Sequence, residues 1–389
     1  MTPLYLDYAA TTPVDPRVAE VMGQHLTLDG VFANPASRTH RYGWDAEEAV
    51  ELARGQLATL LSCDVRELAF TSGATEANNL AIKGMAEALA GRGRHLITSP
   101  IEHKAVVDCF KILEEQGFEV TWLEPEASGI VAPETLARAL RRDTILVSLM
   151  AVHNELGVKN DLAALGALCR EAGVPFHVDG AQALGKMDLD LSVLPVDLMS
   201  FSGHKIYGPK GIGALYVARG LAPQPVAQIH GGGHERGLRS GTLPTHQIAG
   251  LGAAAACYGG GALGAELSHL EGCRAAFLRG LGALPGVHHL GAGAPAMPGI
   301  MNLAFDGVDG ETLQMAVASE LACSSGSACN SVSVEPSFVL MALGVPRDLA
   351  FTALRFSFGR FTTEVQSERA GAWLGERVVS LRSPVAVSS

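Results

Sequence analysis

No stretch of this sequence approaches the roughly 20 consecutive apolar residues of a membrane-spanning helix. The opening MTPLYLDYAATTP has neither the basic start nor the apolar run of a signal peptide. A cytoplasmic protein is the expectation. The seven cysteines, at 63, 109, 169, 257, 273, 323 and 329, form an odd set without a C-x-x-C pair. That fits neither a disulfide framework nor a zinc site, and reads most of them as small buried apolar groups. Positive charge is also short. A formal net charge of -11 argues against nucleic acid or an anionic membrane held by bulk electrostatics, and leaves small anions to specific sites. Internal repeats and low-complexity blocks are missing. Without a G-x-S-x-G, the HGGG at 230–233 reads as a turn or subunit-contact loop and not as the oxyanion loop of a hydrolase. The GHKIYGPKG at 203–211 lacks the Gly-Lys-Ser/Thr of a nucleotide P-loop, and its proline removes a backbone donor.

What the chain has is apolar residues, at 48%, and 45 glycines over 389 positions, enough for a sizeable core and two domains. Apolar residues at 46, 49, 50, 53, 57, 60 and 61 predict a helix over 46–61. Short apolar runs follow at 68–72, 95–99, 144–152, 175–180, 197–203 and 213–218, most separated by helical segments. This alternation predicts a mostly parallel α/β sheet. The three glycines of CYGGGALG (257–264) suggest a hinge to a smaller α/β unit, whose last helix spans about 364–382.

In open parallel sheets the ligand crevice lies beyond the carboxyl ends of the strands. Here those ends deliver His103, Asn154, Asp179 with Gln182, and Ser202 with His204 and Lys205. Lysine is scarce, seven residues against twenty-two arginines, and of these Lys205 directly follows an apolar run. An amine of this kind, beside a carboxylate such as Asp179 and a phosphate site, is what pyridoxal phosphate chemistry requires: a Schiff base to the aldehyde and a partner for the pyridine nitrogen. The TSGATEANN segment (71–79) supplies a glycine and then Thr75 at the opening of a helix, where backbone N–H groups converge on an anion.

Eight segments carry a resemblance in register from about residue 4 to 365: YLDYAATTPVDPRV, NPASRTHRYGW, FTSGATEANNLAIKG, FHVDGAQALGK, MSFSGHKIYGPKGIGALYV, HGGGHERGLRSGTLPTHQIAG, SSGSACNS and LRFSFGRFTTE. The sequence resembles the class V aminotransferase superfamily, and within it the cysteine desulfurases of general iron-sulfur cluster assembly. The resemblance implies a fold type I transferase, with a large domain (13–258) built on a mostly parallel seven-stranded sheet flanked by helices. A small α/β domain (1–12 and 259–389) would carry a mobile loop at about 322–334. It implies Lys205 as Schiff-base lysine, Asp179 on the pyridine nitrogen, Gln182 on the phenolic oxygen and His103 stacked on the ring. Ala74, Thr75, Ser202 and His204 would cradle the phosphate, with Thr242 reaching it from the second subunit of a homodimer. Asn154 would line the pocket, and Asn34 and Arg355 would hold the substrate carboxylate.

By the same resemblance, L-cysteine is converted to L-alanine through a ketimine, and the sulfur passes as a persulfide on Cys329 to acceptors such as an iron-sulfur scaffold protein. No intrinsic metal is implied, although Cys329 could transiently ligate a nascent cluster with the scaffold. The small residues of SSGSACNS suit a thiol that must travel, so the stretch is read as a loop outside helix and strand. Three departures stand out: His153 in place of a second asparagine, Gly180-Ala181 after the aspartate, and an early end at SLRSPVAVSS that weakens the expected scaffold docking. Cys323 replaces an aliphatic residue and is read as a small buried group rather than a resolving thiol. The alternatives are a selenocysteine lyase, another class V enzyme, and a catalytically degenerate platform for sulfur carriers.

Overall fold

The structure, a computed structural model, describes residues 3–325, 328–330 and 333–382. Strand β1 (Leu4–Tyr5) and helices α1 (Pro16–Gly23) and α2 (Arg41–Leu61) lead into an alternation of strands and helices. In chain order these are β2 (Leu68–Thr71), α3 (Ala74–Leu89), β3 (His95–Thr98), α4 (Lys104–Glu115), β4 (Glu119–Trp122), α5 (Pro133–Ala139), β5 (Thr144–Met150), α6 (Leu162–Ala172), β6 (Phe176–Asp179), β7 (Leu198–Ser202) and β8 (Gly213–Val217). The sheet order is β2-β8-β7-β6-β5-β3-β4. Every neighbouring pair is parallel except the two that β8 makes. The inner strand β5, TILVSLM, is buried at every position, as a strand covered on both faces must be. Strand β4, EVTW, is an edge with no fully buried residue. It therefore carries no apolar run, and the sequence did not announce it.

Helix α2 begins five residues before its apolar face, because the His40 ring accepts from the Gly43 amide at 3.2 Å and caps the helix there. Ala46, Val50, Ala53, Leu57 and Leu61 then form one buried stripe, which packs on α7 (Thr245–Ala256). The triple glycine lies in the turn between α7 and α8 (Ala262–Leu281).

The remaining elements are β9 (Val287–Leu290), β10 (Ile300–Phe305), α9 (Gly310–Ala318), β11 (Leu321–Ala322), β12 (Ser324–Ser325), β13 (Ala328–Asn330), β14 (Ser333–Glu335), α10 (Phe338–Ala342), α11 (Arg347–Phe351), β15 (Leu354–Ser357) and α12 (Glu364–Arg382). Four of them form an antiparallel sheet, β12-β15-β10-β9. Helices α8 and α12 pack together beside it, around a core that includes Phe277, Leu303, Phe356 and Leu374. Strand β1 pairs parallel with β11, so the beginning of the chain is tied to this second core.

One expectation is corrected here. The described residues of SSGSACNS, Ser324, Ser325 and Ala328–Asn330, do not lie outside regular structure. Ser324 and Ser325 pair with Arg355 and Leu354 of β15, and the backbone of Ala328–Asn330 pairs antiparallel with Ser333–Glu335. Small side chains do not oppose extended backbone, and pairing at an edge satisfies amides that would otherwise need water. The Cys329 side chain lies outside the described residues.

Candidate active site

The carboxyl ends of β2, β5, β6 and β7 open onto one cavity of about 630 Å³. Asp179, the last residue of β6, is 5% exposed. Its Oδ2 accepts from Asn78 Nδ2 at 2.8 Å and its Oδ1 from the Ala181 amide at 2.9 Å. A carboxyl group so held faces the cavity in a fixed orientation. Lys205 ends the short 3-10 turn after β7, and its Nζ donates to the Ala9 and Ala10 carbonyls at 2.6 and 2.7 Å. Gln182 Nε2 donates to the same Ala9 carbonyl at 2.7 Å.

At the other end of the cavity, Ala74 and Thr75 open α3. The first-turn amides of a helix have no partner within it and carry its positive pole. Two glycines allow this turn to lie close to the sheet. Gly73 has φ +150°, and a Cβ on Gly213 would come within 2.6 Å of the Gly73 Cα and 2.2 Å of the Phe201 carbonyl. Ser202 and His204 also line the cavity.

Burial and the neighbouring Arg355 push the Lys205 amine down to about 8, against the opposing pull of Asp179 and Asp7. His204 is pushed down to about 4 by burial and then by Lys205, Lys210 and Lys186, so it is a neutral ring at neutral pH. His103 caps α4, its Nδ1 accepting from the Ala105 amide at 3.1 Å. A neutral ring so bonded carries its proton on Nε2. Burial lowers the His103 pKa, and Lys205 adds to this while Asp179 opposes it.

Arg355, on β15, is 7% exposed. One Nη donates to Asp7 Oδ1 at 2.7 Å and to Ser324 Oγ at 2.9 Å, and the other to the Asn154 carbonyl at 2.9 Å. Its Nε is buried and has no hydrogen-bond partner among the described residues. A guanidinium lining a cavity is suited to hold a carboxylate through its planar fork of N–H groups.

The cavity thus gathers Ala74, Thr75, His103, Asn154, Asp179, Gln182, Ser202, His204, Lys205 and Arg355. It does not gather Asn34 or Thr242. Asn34 is exposed and its Oδ1 accepts from the Ala36 amide at 2.9 Å. Thr242 is exposed on the loop before α7. His153, the unexpected histidine, is 2% exposed. Its Nε2 donates to the Ile101 carbonyl at 2.9 Å and its Nδ1 accepts from the Glu155 amide at 3.0 Å, and burial pushes it down to about 4. It is a neutral structural ring. Cys323 packs against the core around Phe277, and burial pushes its thiol up to about 12, far from a reactive thiolate.

Sequence reading missed Asn78, Asp7 and Lys186. Asn78 stands one helical turn after Thr75 and so shares its face. The other two carry no local signal.

The cavity suits pyridoxal phosphate: an amine for its aldehyde, a buried carboxylate for its ring nitrogen, and unpartnered amides for its phosphate. Fold and site together define an α/β enzyme of the pyridoxal-phosphate-dependent class. Residues 4–369 match the family model described as aminotransferase class-V, and the chain belongs to that family. It is 57% identical over 362 residues to the cysteine desulfurase IscS of Serratia proteamaculans (strain 568), covering 93% of this chain and 89% of that one. It is 54% identical over 380 residues to the cysteine desulfurase IscS of Shewanella baltica (strain OS223), covering 98% and 94%. Among solved structures, a NifS-like protein aligns with a TM-score of 0.89 at 34% identity, covering 98% of this chain and all of that one. SspA in complex with cysteine aligns with a TM-score of 0.82 at 37% identity, covering 92% and 99%.

Proposed function

We propose that the protein is a cysteine desulfurase: it moves the sulfur of free L-cysteine onto Cys329, releases L-alanine and passes the sulfur to acceptor proteins, among them an iron-sulfur scaffold. The observation that carries this reading is the convergence of the Lys205 amine, the Asp179 carboxylate and the Arg355 guanidinium on one cavity. Bound pyridoxal phosphate supplies an aldehyde for amines and a protonated ring that draws electrons from the substrate.

Asp179 holds the proton on the ring nitrogen, and the α3 amides with Thr75, Ser202 and His204 hold the phosphate. Arg355 orients the substrate through its carboxylate, with Asn154 beside it. Lys205, with its amine near 8, is neutral often enough at physiological pH to attack the aldehyde and to carry a proton to and from the substrate Cα. His103, which lines the cavity, would offer its Nε2–H as a donor to the bound group. With Nδ1 committed to Ala105, the neutral ring has no free lone pair, so the proton of an incoming thiol goes to the substrate amine or to Lys205. The Cys329 thiolate attacks the substrate Sγ; an S–S bond forms as Cβ–Sγ breaks, the electron pair stays with the carbon skeleton, and protonation completes alanine.

The same reading divides the chain at 258/259 into the large and small domains expected from the sequence, and makes it a homodimer in which Thr242 reaches the partner's phosphate site. The test is direct. Purified protein incubated with L-cysteine yields alanine, and mass spectrometry finds one added sulfur on the peptide that contains Cys329. Cys329→Ser loses both, while Cys323→Ser keeps both. Sustained turnover by Cys329→Ser would sink the assignment, and selenide release from L-selenocysteine with no alanine from L-cysteine would replace the substrate.

A further inference from the structure

Beyond the groups already described, one side chain contacts the site from behind. Gln182 Oε1 accepts from Lys186 Nζ at 2.5 Å, while Gln182 Nε2 donates to the Ala9 carbonyl at 2.7 Å. Lys186 does not line the cavity. Gln182 is its one hydrogen-bond partner among the described residues. The residue is half-buried. Burial pushes it down to about 7, with Lys205 and Arg355 adding to the shift and Glu266 opposing it.

A desolvated amine with one partner is an expensive way to fill space. Leucine or methionine would fill it without that cost. What the amine does that they cannot is choose which way the Gln182 amide points. An amide offers an acceptor at one end and two donors at the other. The Ala9 carbonyl selects the nitrogen on one side, and Lys186 selects the oxygen on the other. One N–H of Nε2 is then left for an acceptor in the cavity. The link survives loss of the Lys186 proton, because a neutral amine still donates through its remaining N–H bonds.

We propose that Lys186 is a positioning residue: it locks the Gln182 amide so that a donor, not an acceptor, faces the phenolic oxygen of the bound cofactor. This rests on the cofactor reading above. A donor at that oxygen favours its ionised form, so the lock holds down the pH at which the lysine-bound cofactor takes up a proton. Without it only the Ala9 carbonyl holds the amide, and in the turned orientation an acceptor faces the phenolic oxygen.

The experiment is a pH titration of the visible absorbance band of the cofactor-loaded protein. Lys186→Met is expected to raise the apparent pKa of that band by about one unit, the scale of one hydrogen bond to an ionised group. Lys186→Arg, which keeps a donor, is expected to stay near the parent value. The shift must act through the glutamine. In a Gln182→Ala background, Lys186→Met should add nothing further. Should Lys186→Met fail to hold the cofactor, Lys186→Ala removes the same donor with less bulk and is read identically. An unshifted titration in these variants, or a shift that persists in full without Gln182, overturns the inference while leaving the cofactor reading intact. A parent protein that gains no visible band with pyridoxal phosphate overturns both.

Discussion

At the scale of single residues, the Lys205 amine sets a measurable pH dependence. Its folded value near 8 lies below the roughly 10.4 of a free lysine, and only the neutral amine attacks an aldehyde. Reconstitution of cofactor-free protein, followed through the visible band, is expected to speed up about tenfold per pH unit from 6 to 8 and then level off. A rate still climbing tenfold per unit at pH 9.5 would show an unperturbed lysine. The same shift has a stability sign. Between the folded and unfolded values the unfolded chain binds the extra proton, so this group's contribution to the stability of the cofactor-free protein grows as pH rises through that window. Lys205 and Asp179 were legible in the sequence because each closes an apolar run, and strand ends point to the crevice. Asp7 was not. It meets Arg355 across nearly the whole chain, and no spacing rule reports on a contact that depends on β1 pairing with β11 and on Asp7 bridging to Ser357.

At the scale of elements, the loop that carries Thr242 is anchored by a buried ion pair that the sequence also hid. Arg54 of α2 makes a bidentate bridge to Glu235, both bonds 2.8 Å, with side chains 4% and 2% exposed. Glu235 also accepts from the Phe70 amide at 2.7 Å, and Arg54 stacks 4.5 Å over the Phe70 ring. The pair holds Glu235 and Arg236 at φ 49° and 57°, a conformation that costs non-glycine residues free energy. In the sequence, Arg54 is one more helical arginine and Glu235 one more loop acid; only the fold brings them together. Arg54→Ala strands a buried carboxylate, and should lower the unfolding free energy by about 3–5 kcal/mol in urea titration. Replacing both, as Arg54→Met with Glu235→Leu, should recover much of that loss. Equal losses in the single and double variants would show that the pair does not act as a unit. The helices and inner strands, by contrast, were readable because their periodicity is the imprint of burial. Edge strands β4 and β12 were not, since strands with no fully buried residue leave no such imprint.

At the scale of the whole molecule, Thr242 lies outside its own chain's cavity, and its proposed partner is the phosphate site of a second copy. Subunit mixing tests this with no need to see the interface. Thr242→Ala should weaken cofactor binding by about ten- to a hundredfold, the value of a hydrogen bond to an anion, and Lys205→Ala should abolish the lysine-linked visible band. Neither variant alone then makes a tight, coloured site. In a mixed dimer, one site combines both defects. The other takes Lys205 from the Thr242→Ala chain and Thr242 from the Lys205→Ala chain, and is intact. Refolding the two variants together should therefore restore parent-like affinity and the visible band in a population of sites set by the fraction of mixed dimers. If Thr242 served its own chain's site, mixing would restore nothing, because each chain would keep its own defect; if it served no site, Thr242→Ala alone would bind the cofactor as tightly as the parent. The outcome thus decides whether the loop fixed by Arg54 and Glu235 completes a neighbour's active site or merely covers its own surface.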